Sequence, residues 1–80
     1  MPVHIWHRCN KAALAAIAVA IRCANNDEVD QPAAIDEATE AAIAALQEMD
    51  RTAERLHLVA DAETIAKWAV DAAWSIPSIG

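Results

Sequence analysis

The chain is expected to be all-α, a small three-helix bundle, and three observations point there. Of its 80 residues 21 are alanine, the strongest helix former, and the one glycine is Gly80. Ten consecutive residues, Ala12 to Ile21, are apolar and uncharged, six of them alanine. Further on, Ile35, Ala38, Ala42, Leu46, Met49, Ala53 and Leu56 alternate steps of three and four, the spacing that lines one face of an α-helix. A chain of this length makes one domain, residues 1–80.

The first helix is expected over about residues 7–24, after a lead-in of residues 1–6. Its larger side chains Leu14, Ile17 and Ile21 recur at i, i+3, i+7 and are read as its inward face. A helix that is apolar all round is a buried one, so this helix is read as central. Asn25-Asn26-Asp27 stops it. Pro32 suits a first helical turn, with Asp30 or Gln31 as the cap, and the second helix is read from 32 to about 58, long enough that it either kinks near Thr52 or extends past its neighbours. Val59-Ala60 is read as a link and Asp61 as the cap of a third helix over 62–75, its core face Ile65, Trp68, Ala69 and Ala72. Val70 and Trp74 then fall on its outer side, and Pro77 sets off a tail, residues 76–80.

There is no Phe or Tyr, and only four Leu, eight Ile, five Val, two Met and three Trp fill volume. Two readings of so lean a core stay open. Close alanine-mediated packing suffices within one chain, or the Ala-rich faces also bury against a second copy, giving a homodimer.

Charge is segregated along the chain. Residues 1–25 carry Arg8, Lys11 and Arg22 and no acid, whereas residues 27–40 carry Asp27, Glu28, Asp30, Asp36, Glu37 and Glu40 and no base. A net charge of −6 disfavours direct binding to nucleic acid or to an anionic membrane. It suits a partner protein with a basic surface.

Arg8 and Lys11 followed by the run 12–21 imitate a secretion signal, but Arg22 follows at once where a small residue should precede a cleavage site. Ten residues span roughly 15 Å, half the bilayer core, so the run does not cross a membrane. Cys9 and Cys23 on one helix are separated by roughly 21 Å, too far for a disulfide. Free thiols and the lack of a targeting signal give a cytoplasmic expectation.

The residue types that carry chemistry are sparse. His4, His7 and Cys9 are the one cluster with metal-ligand character, and its spacing matches no zinc pattern. No glycine-rich phosphate loop is present, and Cys9 with His7 lacks a third group to form a nucleophilic triad. A helix-turn-helix reading gives the third helix one base, Lys67, among acids, the wrong sign for phosphate. No enzymatic activity, cofactor or metal is expected.

The functional expectation is therefore an acidic protein–protein interaction module. It binds and modulates a larger, nucleic-acid-handling partner through Asp27, Glu28, Asp30, Asp36, Glu37 and Glu40, with Val70 and Trp74 as apolar anchors. The comparison is with small phage-encoded inhibitors such as anti-CRISPR or antirepressor proteins, an analogy of size and acidity without a shared motif. The alternative is a structural self-assembly subunit, an obligate helical homodimer.

Overall fold

The computed structural model describes residues 3–75, with side chains from Asn10 onward. Three helices pack pairwise against one another: α1 Val3–Ala24, α2 Gln31–Met49 and α3 Arg55–Ser75. The short connections 25–30 and 50–54 turn the chain back each time, giving an up-down-up bundle. No strand occurs among the described residues, and no helix there is long and apolar enough to cross a membrane.

The α1–α2 connection forms as its sequence implies. Asp30 is the N-cap of α2, its carboxylate accepting from the Ala33 amide at 3.0 Å, and Pro32 sits in the first turn where its missing N–H costs nothing. The Asn26 carbonyl accepts from Val29 N at 3.1 Å, and Val29 packs against the core as a half-buried plug.

The α2–α3 connection falls elsewhere than the sequence reading placed it. Helix α2 ends at Met49 instead of residue 58, and α3 starts at Arg55 instead of residue 62. Val59, Ala60 and Asp61 are helical, and Asp61 caps nothing. The cause is Asp50, extended at φ −140°, ψ 91°, whose Oδ1 accepts from both the amide and the hydroxyl of Thr52, at 3.2 and 2.7 Å. A short polar side chain here offers the backbone a closed turn in place of a helical one. Helix α1 also begins at Val3, four residues before the expected start.

The core is made of alanine. Ala12, Ala16 and Ala20 on α1, Ala34, Ala38 and Ala42 on α2, and Ala62 and Ala66 on α3 are all 0% exposed, each set at intervals of four. Ile43 and Val70 are the largest fully buried side chains, and Leu46 and Leu58 close the seam at the end near residue 50. Small residues at the contact let the helix axes approach closely. Burying alanine costs no side-chain entropy, which offsets its small hydrophobic gain.

Close approach also settles which faces turn inward, and here two expectations are corrected. On α1 the inward residues are Ala12, Ala16, Ala20 and Cys23, while Leu14 is 59% and Ile21 43% exposed and Ile17 is half-buried. On α3 the inward face is Leu58, Ala62, Ala66, Ala69, Val70 and Ala73, while Trp68 is 55% exposed. Axes drawn together by alanine leave no room for Leu14 or Trp68 between them, so bulk moves to the flanks or outside. The alanines at 12, 16, 20, 34, 38, 42, 62 and 66 are thereby buried within one chain. Helix α2 follows its predicted stripe, with Ala38, Ala42 and Leu46 buried and Ile43 widening it.

Overpacking tests the seam. Ala38→Leu is expected to destabilise the fold by about 1–3 kcal/mol, lowering the melting temperature by roughly 4–8 °C per kcal/mol, whereas Ala44→Leu on the exposed side of α2 stays within about 0.5 kcal/mol. Thermal unfolding followed by circular dichroism measures both.

Candidate functional site

All six carboxylates of the acidic stretch are exposed, but they do different things. Asp30 caps α2. Glu37 accepts a hydrogen bond from the Cys23 thiol at 2.9 Å, joining α2 to the end of α1. Glu40 forms an ion pair with Arg55 from the first turn of α3; hydrogen bonding by the guanidinium lowers the Glu40 pKa and raises that of Arg55. Both partners are more than half exposed, so salt screens this pair and it adds little to stability.

Asp27, Glu28 and Asp36 have carboxylates that meet no cation among the described residues. Asp27 and Glu28 sit in the α1–α2 connection, and Asp36 follows in the second turn of α2, at the same end of the bundle. The six acids do not form one face. Asp36 and Glu37 are adjacent in sequence and so point about 100° apart, Glu37 toward α1 and Asp36 toward α3.

Asp36 and Glu40 wall a cleft of about 400 Å³ between α2 and α3. Its apolar floor is Ile35, Ile43 and Val59, and its far wall carries Arg55, Glu63 and Lys67 from α3. The Thr39 hydroxyl in this cleft donates to the Ile35 carbonyl at 2.7 Å. Thr64 and Ser75 likewise donate to carbonyls four residues back in α3, and Thr52 donates to Asp50. Every hydroxyl among the described residues is thus held in a local backbone or turn contact. Arg55 does not stand out from sequence, because only the early start of α3 places it on a helix facing Glu40, and Lys67 stands out there only as the lone base of the expected third helix.

The apolar anchors fare differently. Val70 is 1% exposed and belongs to the core, which removes it from any outer patch. Trp74 is half-buried and packs against the core as well. Among the described residues the exposed tryptophan is Trp68, which the sequence places inward. The reason is the register of α3: with alanine inward at residues 62, 66 and 69, position 70 turns toward α2 and position 68 away from it.

Cys23 is buried, and no anion sits well in such a place. Burial first, then the hydrogen bond to Glu37 and the Glu37 charge, push its thiol from 9.0 to about 11, against a weaker opposite pull from Arg22. Among the described residues no three His, Cys, Asp or Glu side chains gather as a metal site. The side chains of His4, His7 and Cys9 lie outside the described residues, as does the tail 76–80.

Compared with known protein families, with characterised proteins and with solved structures, the chain matches none of them.

The Cys23 thiol makes stability depend on alkaline pH. The native state holds the proton more tightly than the unfolded chain, so its contribution is complete below about pH 9 and is lost as pH rises through about 11. Denaturant unfolding at pH 8–11 is expected to show a decline that is shallower in Cys23→Ala. An identical slope in both proteins removes the thiol from the account.

Proposed function

We propose that this chain is a non-enzymatic, acidic interaction module that binds and modulates a larger protein with a basic, nucleic-acid-handling surface. Its mode is that of the small phage-encoded antagonists, anti-CRISPR and antirepressor proteins among them. The observation that carries the reading is the trio Asp27, Glu28 and Asp36. These carboxylates are exposed, share one end of the bundle and meet no internal cation among the described residues.

Acids that serve the fold show their service: Asp30 caps a helix, Glu37 takes a thiol proton and Glu40 holds Arg55. The trio has no such contact, and all three residues are exposed to solvent. Like charges at one end of a rigid rod steer a basic partner and orient it. A carboxylate cluster seated in a basic groove excludes phosphate from the same groove, which gives the antagonist form of the reading. The held hydroxyls leave the described surface with recognition groups, carboxylates and ammonium ions, in place of an activated nucleophile.

Affinity capture on the immobilised chain tests this. A basic nucleic-acid-binding protein is expected to be retained, to elute as salt rises from about 0.1 to about 1 M, and to be lost with the triple charge reversal Asp27→Lys, Glu28→Lys, Asp36→Lys. Adding the chain should also displace that protein from its nucleic acid. Retention indifferent to both salt and charge reversal defeats the reading.

A further inference from the structure

We propose that the outer face of α1, with the adjoining flank of α3, is a self-association surface whose occupant is a second copy of this chain. None of the six acids Asp27, Glu28, Asp30, Asp36, Glu37 and Glu40 belongs to this surface, so the inference stands apart from the proposed function.

Helix α1 is apolar on both sides. Opposite its buried alanines, Leu14, Ala18 and Ile21 fall within an arc of about 60° and all three are exposed, with half-buried Ile17 beside them. This outer stripe is left uncovered by any helix among the described residues. Helix α3 extends the same surface. Its flank toward α2 carries Glu63 and Lys67, which line the interhelical cleft. Trp68 stands about 100° around the axis from Lys67, beyond that flank, on the side of half-buried Ile65. In a bundle of three, the flank of α3 that is turned from α2 adjoins α1. Leu14, Ile21 and Trp68, at 59%, 43% and 55% exposed, thus lie on neighbouring helices of one side.

Charge selects the occupant. The charged residues of α1 with described side chains are Lys11 and Arg22, both exposed, both beside the stripe and neither in an ion pair among the described residues. The charges next to Trp68 on α3 are Asp61 and Asp71, exposed and equally unpaired there. The two pairs are spaced alike: eleven residues of α1 rise about 16 Å and ten residues of α3 about 15 Å. Laying α1 of one copy along α3 of the other brings ammonium and guanidinium groups onto carboxylates, and a twofold axis repeats the contact. An acidic partner matches only the α1 half of this surface and a basic partner only the α3 half. A copy of the chain matches both.

Sedimentation velocity of the full chain from about 1 to about 500 μM, a span that covers weak dimers, tests the proposal. A monomer–dimer equilibrium is expected. Leu14→Glu with Ile21→Glu should leave only monomer, with the helical circular dichroism and melting temperature retained because both sites are exposed. Leu56→Glu is the control: Leu56 is 82% exposed but lies on the cleft side of α3, and its replacement should leave the dimer intact. Lys11→Glu with Arg22→Glu should weaken association at least 10-fold. Mixing that protein with Asp61→Lys, Asp71→Lys chain should restore it as a mixed dimer. A monomer throughout the range overturns the proposal. So does a dimer that survives the Leu14 and Ile21 replacements, one broken equally by Leu56→Glu, or a charge exchange that restores nothing.

Discussion

Everything in this fold depends on three helices approaching closely enough for alanine methyl groups to touch. Among the described residues those that are 0% exposed are all alanine, and they recur at intervals of four on α1, on α2 and in the middle of α3. That constraint decides the orientation of every larger side chain. Ile43 and Val70 fit where the seam widens, Leu46 and Leu58 close one end, and Leu14, Ile21 and Trp68 are turned out. No charged or polar side chain is buried among the described residues, so the interior makes no electrostatic demand. Polar contacts instead brace the periphery: Glu37 with Cys23 between α1 and α2, Glu40 with Arg55 between α2 and α3, Asp30 and Asp50 at the turns.

The separation between interior and periphery gives the acids their division of labour. Glu37 and Glu40 on α2 each meet a donor on a neighbouring helix, Cys23 on α1 and Arg55 on α3. Asp27 and Glu28 in the α1–α2 connection, and Asp36 beside the interhelical cleft, meet no cation among the described residues. Lys11 and Arg22 on α1, and Asp61 and Asp71 on α3, likewise form no ion pair among the described residues. The two proposed contact regions therefore differ in kind. The acidic end is electrostatic and sensitive to salt, and the α1–α3 face has an apolar centre with charge at its margins.

How much of this was legible in the sequence follows from which signal each feature leaves. Helical content, the number of helices, the stripe of α2 and the Asp30-Pro32 start were legible, because alanine propensity, three-and-four spacing and capping residues are local. The inward faces of α1 and α3 were not. Periodicity weighs bulk as the mark of a core, and here bulk is what close packing expels. Leu14 and Ile21 share a face as the spacing says, but it is the outer one, with Ile17 half-buried at its edge. The break between α2 and α3 left a faint signal in Asp50 and Thr52, outweighed by the continuous stripe through Ala53 and Leu56. Of the candidate site, the exposure of the six acids was legible, while their separate partners were tertiary facts. Val70 is misplaced by sequence because the inward face of α3 is set by Ala62, Ala66 and Ala69, with Trp68 turned out.

The alanine seam also governs how the fold responds to heat. The heat capacity of unfolding grows with the apolar surface that water newly covers, about 12–15 cal/mol/K per residue in ordinary domains. A methyl group uncovers far less than a leucine or phenylalanine side chain, so this chain should fall below that range. A small heat-capacity increment flattens the stability curve. The bundle then keeps a modest, nearly constant margin over a wide span of temperature, with cold unfolding displaced well below freezing.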